Sequence, residues 1–365
     1  MTERIGVGVI GAGVISAQYL GNLTRAADVE VRMVADLDTA RAAERAAEFG
    51  VASSGDVDEL LARDDVEVVV NLTIPAAHVP VGLSALAAGK HVFSEKPLAL
   101  DRAGGLQLLD AAATAGLRVA CAPDTILGAG LQTARRLIES GAIGEPLTAL
   151  TQFQVPGPES WHPNPEFLYA AGGGPVFDMG PYPINAVRNL FEAEPIEVYA
   201  TGTKSPDSQL DGDFYHSVSV TLKFPQERLA QFTVSYVGDN VDTFTVFGSE
   251  GSLVLDPAYG MGKPKSLVIK QSGKTDTDTF KGTDQFGGEL RYFSECILNG
   301  KDPEPDGEEG LLDVRVIEAI YKSLNTGSRI MLQEVQRSKH MDASQVQKLR
   351  PVSPPETVRV DSPAQ

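Results

Sequence analysis

The sequence predicts an α/β chain of two domains. A doubly wound, mostly parallel sheet comes first, and a second α/β domain on a large, mostly antiparallel open sheet follows. Three observations predict it. Strand and helix patterns alternate over the first third of the chain. After Thr148 the strands come in series and alternate apolar with polar residues. At 365 residues the chain is also longer than one compact core ordinarily organises. The expected division is 1–124, 125–336, and a polar, Pro-rich tail at 337–365 with the composition of a mobile segment.

Ile5 to Ile10 is a short apolar run that stops at Gly11 and Gly13. Ser16 to Ala27 has helical spacing, and Val29 to Ala35 is a second strand ending at Asp36. Thr39 to Phe49 is Ala-rich and helical, closed by Gly50. Glu67 to Thr73 reads as a buried strand, Ala77 to Ala88 as a helix, and His91 to Ser94 as a short strand before Glu95, Lys96 and Pro97. Asp101 is placed to cap a helix running to Ala115, and Arg118 to Cys121 is a further strand. Ala129 to Ser140 is one more helix. Alternation then marks His216 to Phe224, the set Phe232, Val234 and Tyr236, and the pair Phe244 and Val246. Leu253 to Leu255 and Leu267 to Ile269 are shorter strands, and two helices are expected near Glu289 to Leu298 and Leu311 to Ser323.

Composition narrows the class. A net charge of -18 opposes nucleic acid or an anionic membrane as partner, because phosphate binding runs on an excess of Lys and Arg. No apolar run approaches the ~20 residues a membrane helix needs, and the opening strand leaves no room for an export signal, so a cytoplasmic protein is expected. Cys121 and Cys296 lie far apart and make neither a disulfide framework nor a metal motif. The five histidines form no ligand cluster, and no metal is expected.

Gly11-Ala12-Gly13-Val14-Ile15-Ser16 is a GxGxxS form of the dinucleotide fingerprint. The first Gly permits the strand-to-helix turn, and the second lets a pyrophosphate approach the backbone. Ser in third place is small enough for helix to pack on strand. Phosphates would rest on the helix N-terminus, at the free N–H groups around Val14 and Ile15. Asp36, 23 residues after Gly13, is placed to bind both adenosine ribose hydroxyls and to repel a 2′-phosphate. Leu37 and Asp38 offer no cation, so NAD is expected over NADP, with Arg41 the nearest basic residue. The alternative for Asp36 is a cap on the next helix. Lys96 follows a strand at the carboxyl end of the sheet, where open α/β sheets bind ligands, and Pro97 stiffens the corner.

The stretch His91-Val92-Phe93-Ser94-Glu95-Lys96-Pro97-Leu98-Ala99, after that fingerprint, resembles the signature of the Gfo/Idh/MocA oxidoreductases. So do Ile74-Pro75-Ala76-Ala77-His78 and the Gly-rich run Gly172 to Gly180, and the likeness spans about 330 residues. The resemblance implies a Rossmann domain, a second domain whose open sheet commonly joins subunits into a homodimer or homotetramer, a nicotinamide cofactor and a carbohydrate substrate. It places Thr73, Pro75, His78, Glu95 and Lys96 near the cofactor, and it implies that the Lys96–Pro97 peptide is often cis. For His78 a surface helix position is the competing reading.

Lys96, Asp178 and Tyr182 are the catalytic residues the resemblance implies. Many relatives carry His where this chain has Tyr182, and Asn185 stands where inositol dehydrogenases often carry an acid. The chain therefore resembles the Tyr-containing branch. A phenol titrates near ~10, and a cation beside it favours the phenolate. Tyr182 with Lys96 is thus the expected proton-transfer pair, the alternative being a buried Tyr182 with Lys96 exchanging the proton. Trp161 and His162, in a Pro-stiffened loop, are expected to meet the sugar, the alternative being a structural loop that packs Trp161 under the sheet, and Asp124 is expected to face the sugar from the last strand of the first domain. The implied activity is hydride transfer at a hydroxyl or carbonyl carbon of a sugar, cyclitol or glycoside. Two alternatives stand beside it: a transient redox step that cleaves a glycoside, and a non-catalytic NAD-binding regulator. The presence of Lys96, Asp178 and Tyr182 together opposes the last.

Overall fold

The computed structural model describes residues 4–123, 128–160, 162–170, 172–204, 214–260, 264–280, 285–301, 303 and 306–335. Those residues divide into two compact units. The expected tail at 337–365 lies outside the described residues, as do Asp124 and Trp161.

The first unit begins with β1 (Ile5–Ile10), α1 (Val14–Leu23), β2 (Val29–Ala35), α2 (Thr39–Phe49), β3 (Ser54–Gly55) and α3 (Val57–Leu61). It continues through β4 (Val68–Asn71), α4 (His78–Ala87), β5 (His91–Ser94), α5 (Arg102–Ala115) and β6 (Val119–Cys121). The strands form one sheet in the order β3-β2-β1-β4-β5-β6, every neighbouring pair parallel. β1 and β4 are buried along their whole length, as strands covered on both faces must be, which is why they read as unbroken apolar runs. The order reverses at β1, so the strand ends around β1, β4 and β5 sit on one carboxyl edge at the switch point of the sheet. Caps fix the helices. Asp38 accepts from Ala40 and Arg41 at the start of α2, and Asp56 and Glu59 form a reciprocal capping box on α3. Asp101 caps α5 by accepting from Gly104, as its sequence position implies.

The second unit contains α6 (Ala129–Glu139), β7 (Pro146–Gln154), α7 (Gly174–Asp178), α8 (Pro181–Phe191) and β8 (Glu197–Thr203). Then follow β9 (Ser217–Lys223), β10 (Leu229–Ser235), β11 (Val241–Gly248), β12 (Gly251–Asp256), β13 (Lys265–Gln271) and β14 (Lys274–Phe280). With β15 (Ile330–Met331) they make a nine-stranded sheet, β14-β13-β12-β11-β7-β10-β9-β8-β15. All neighbours are antiparallel except β7 with β10. One face is the core: Phe153, Val220, Phe232, Val234, Phe244 and Val246 share a buried cluster with Ile184, Val187 and Phe191 of α8. The opposite face presents Thr221, Gln231 and Thr245 in register, together with four large apolar side chains, Leu150, Tyr199, Leu229 and Phe247. The apolar members come from the ends of strands and from β7 and β8.

After β14 the chain re-enters the first unit. Helix α9 (Gln285–Leu298) and α10 (Gly307–Thr326) as far as residue 314 belong to it. The cause is aromatic packing: Phe286 meets Tyr19 edge-on at 5.1 Å between ring centroids, and Phe293 lies 6.0 Å from Phe93. Leu311 and Val314 complete the core around Leu98, Leu108 and Cys121. The linear division with 125–336 as one domain does not contain this return.

Candidate active site

On the first unit the site grows from three strand ends. Gly11 leaves β1 with φ 104°, and a Cβ there would stand 2.6 Å from the Leu72 carbonyl oxygen, so only glycine fits the turn. Gly13 is the N-cap of α1, makes no side-chain cap bond, and has open space where a Cβ would project. That combination leaves the first amides of α1, at Val14 and Ile15, for an anion. Ser16 tightens the turn by donating to the Gly13 carbonyl at 2.6 Å. These residues fit a dinucleotide.

Asp36 is bonded on both oxygens. Oδ2 accepts from the Ala12 amide at 2.7 Å and Oδ1 from the Asp38 amide at 2.9 Å, so the carboxylate ties the glycine loop to the end of β2. The cap on α2 is Asp38, not Asp36. Asp38 also pairs with Arg41 at 3.2 Å, and Arg45 reaches back to the Gly13 carbonyl. Leu37 is almost fully exposed.

At the end of β4, Asn71 Oδ1 accepts from the Thr73 hydroxyl at 2.7 Å, while its Nδ2 donates to the His78 carbonyl at 2.9 Å. Pro75 opens the short 3-10 turn that leads to His78. His78 is buried, which excludes the surface reading. Its Nδ1 lies 2.7 Å from the Pro97 carbonyl and its Nε2 2.9 Å from that of Thr73. Burial pushes its pKa below the ordinary histidine value, against the opposing pull of the two carbonyls and Glu95. The neutral ring carries one N–H, so His78 donates to one of these two carbonyls and packs its other nitrogen against the second, between the loop after β4 and the corner after β5. At that corner the Lys96–Pro97 peptide is cis. Glu95 is buried, with Oε1 accepting from the Tyr19 hydroxyl at 2.7 Å and Oε2 from the Lys96 amide at 3.0 Å. The neighbouring Cys121 thiol is buried, and burial pushes it well above the usual thiol range, which makes it inert.

On the second unit Asp178 ends α7 and Tyr182 stands in the first turn of α8. The Tyr182 ring packs edge-on against Phe153 at 5.6 Å and tilted against Tyr259 at 6.0 Å, and the residue is half-buried. Asp178 Oδ2 accepts from the Tyr236 hydroxyl at 2.9 Å. Burial, with the Asp178 carboxylate beside it, raises Tyr236 well above the ordinary phenol value, so it stays a donor. His162 is half-buried, accepts from the Asn164 amide at 3.0 Å, and meets Phe167 edge-on. Burial lowers its pKa, opposed by the Asp178 charge. His216 is buried against Phe214, and its place is structural. Among the described residues no group of three or more His, Cys, Asp or Glu is arranged to hold a metal, and no helix is long and apolar enough to cross a membrane.

Sequence reasoning missed Tyr19, Asn71 and Tyr236. Tyr19 and Tyr236 look like core positions on a helix and after a strand. Their one signal is the hydroxyl, which in a buried place requires a partner.

Residues 5–122 match the model of an oxidoreductase family with an NAD-binding Rossmann fold, and residues 131–254 match the GFO/IDH/MocA C-terminal domain. The chain is 30% identical over 279 residues to a D-xylose 1-dehydrogenase [NADP(+)] of Haloarcula marismortui, covering 74% of this chain and 76% of that protein. It is 27% identical to a 1,5-anhydro-D-fructose reductase of Ensifer adhaerens, over 88% of this chain and 96% of that one. Its fold is similar to that of a crystalline aldose-aldose oxidoreductase from Caulobacter crescentus, with TM-score 0.83, 26% identity, and 90% and 100% of the two chains covered. Two matching domain models and a relative at this identity establish what the signature around Lys96 implied: the chain belongs to the Gfo/Idh/MocA family of oxidoreductases.

Proposed function

We propose that the chain catalyses reversible hydride transfer between a nicotinamide dinucleotide and a hydroxyl or carbonyl carbon of a sugar, cyclitol or glycoside. The observation that carries this reading is the carboxyl edge of one parallel sheet. The open glycine loop, Asp36 and the Glu95–Lys96 corner stand there at the ends of β1, β2 and β5. The sugar dehydrogenases and reductases among its relatives support the substrate class.

When bound, the nicotinamide ring supplies the acceptor or donor of hydride. The protein's part is to seat, orient and exchange a proton. Amides at Val14 and Ile15 receive the pyrophosphate, Asp36 the adenosine ribose, and Thr73, Pro75 and Glu95 the nicotinamide end. His78 acts on that end through the Thr73 and Pro97 carbonyls. Lys96 orients the reacting hydroxyl and stabilises negative charge as it develops on oxygen. Tyr182 takes the proton that a carbinol oxygen sheds on oxidation, and returns it in the reverse direction. Asp178 holds a second hydroxyl, with His162 beside it.

NAD is the proposed cofactor. Asp36 is a fixed anion where a 2′-phosphate would sit; Arg41, the nearest cation along the chain, is paired with Asp38, and Arg45 is paired with Glu48 and reaches the Gly13 carbonyl. The xylose dehydrogenase relatives are named for NADP, so the ratio of the two cofactors is a sharp test. We further infer that a second copy packs on the outward face of the nine-stranded sheet.

Two variants test the chemistry. Lys96→Met is expected to bind NADH by fluorescence titration yet lose turnover. Tyr182→Phe is expected to lower kcat by roughly 10²–10⁴, the cost of losing a general acid or base. Retention of kcat by Tyr182→Phe would move the proton to Lys96.

A further inference from the structure

Tyr19 lies on α1, six residues after the Gly13 cap, and is fully buried. Its ring packs edge-on against Phe286 at 5.1 Å and tilted against Phe93 at 6.2 Å. Phenylalanine would fill that place equally well, so packing leaves the hydroxyl unexplained. The hydroxyl donates to Glu95 Oε1 at 2.7 Å, and the other oxygen of the same carboxylate accepts from the Lys96 amide at 3.0 Å. The Glu95 amide in turn donates to the Asn71 carbonyl at 3.0 Å, which fixes the backbone of the corner to β4. Glu95 is thus held on both oxygens in a buried setting, once by a helix and once by the main chain of the lysine that follows it. Burial matters here. A carboxylate in solvent would exchange a lost donor for water, whereas one enclosed by protein has fewer substitutes and turns toward whatever donor remains.

We propose that Tyr19 is a positioning residue for the Glu95–Lys96 corner, acting through the Glu95 carboxylate. This rests on the reading that Lys96 works at the reacting oxygen. One consequence follows from the helix itself. The N-terminus of α1 is the proposed seat of the pyrophosphate, and about one and a half turns later the same helix holds the carboxylate beside Lys96. Cofactor seat and lysine corner are thereby referred to one rigid element, so an error in one is not corrected independently by the other. Side chains that carry out chemistry tolerate little misplacement, and neighbours that hold them rigid set that tolerance.

The test uses the full-length protein with saturating cofactor and the best substrate among D-xylose, D-glucose and myo-inositol. Tyr19→Phe, Glu95→Gln, the double variant and Lys96→Met are compared with wild type. Tyr19→Phe is expected to lower kcat about ten- to a hundredfold at saturating cofactor, the scale of a small misplacement, with the sugar KM unchanged and any change in the NADH dissociation constant shared with Glu95→Gln. The loss is expected to shrink or vanish in the Glu95→Gln background, because residues acting through one group are not additive. Equal losses in both backgrounds would overturn the proposal. So would wild-type kcat in Tyr19→Phe while Lys96→Met is inactive, and that result would leave Lys96 in place. Near-wild-type turnover of Lys96→Met would remove the underlying reading and the proposal with it. If Tyr19→Phe does not fold, Glu95→Gln decides: a comparable fall in kcat supports the proposal, and an unchanged kcat overturns it.

Discussion

The Tyr236 hydroxyl donates to Asp178 Oδ2 across 2.9 Å, joining the end of β10 to the last residue of α7, four positions before Tyr182. Tyr169 meets the Tyr236 ring edge-on at 6.0 Å and confines it. The bond sets which way the Asp178 carboxylate faces. Tyr236→Phe keeps the ring and removes the donor. A hydrogen bond to a charged group contributes about 1.5–3 kcal/mol, so the sugar KM is expected to rise by roughly tenfold or more, with cofactor affinity unchanged. Steady-state kinetics with a separate NADH titration check it. An unchanged KM would remove Asp178 from sugar binding.

Asp36 carries a second expectation. NAD should give the higher kcat/KM, and Asp36→Ala should narrow the preference. Because its oxygens also hold the Ala12 and Asp38 amides, the variant should weaken binding of both cofactors as well. Measuring kcat/KM for NAD and NADP on both proteins decides it. A clear wild-type preference for NADP would contradict the reading.

The buried His78 makes stability depend on acid. An unfolded histidine titrates near ~6.5. Burial depresses the folded value, so the folded state favours the neutral ring. The stability this represents is fully present above the unfolded value and is lost as pH falls through it toward the folded one. His91, His162 and His216 shift the same way, burial being the first cause for each, so the slope is shared. The thermal midpoint should fall on acidification below about pH 6.5, and His78→Gln should show a shallower fall. Identical slopes in the two proteins would contradict this.

Much of this was legible in the sequence because burial writes the pattern. Ile5–Ile10, His91–Ser94 and Thr39–Phe49 keep their expected bounds, since each is an apolar or Ala-rich run closed by a loop residue. Lys274–Phe280 was not legible. Its sequence KTDTDTF has no apolar alternation, and it is a strand only because it pairs with β13 at the edge of the sheet. Ser54–Gly55 and Val57–Leu61 are too short to show a period. The expected strand Glu67 to Thr73 shortens to Val68–Asn71, because the Asn71 side chain turns the chain at Thr73. In the site, the fingerprint and the Glu-Lys-Pro corner are local and could be read. The bonds of Tyr19 to Glu95 and Tyr236 to Asp178 cross 76 and 58 residues, and no local pattern records them.

The outward sheet face gives a prediction of assembly. Leu150, Tyr199, Leu229 and Phe247 are each 40% exposed or more, on a face that also carries Thr221, Gln231 and Thr245 and, beside Leu229, the charged residues Lys223 and Glu197. Light scattering should give a mass of two or four chains, and Leu150→Lys with Phe247→Glu should reduce it. A wild-type mass near 38.8 kDa would contradict assembly through this face.

The central claim is net hydride exchange with a sugar carbon. It is tested most directly by following absorbance at 340 nm while NAD or NADP is offered with aldoses, cyclitols and glycosides, and by quantifying the organic product. Reduced cofactor is expected to accumulate in step with a carbonyl product, and the rate to fall when the carbinol C–H is deuterated. A cleaved glycoside with no net change at 340 nm would contradict it and establish the transient-redox route instead.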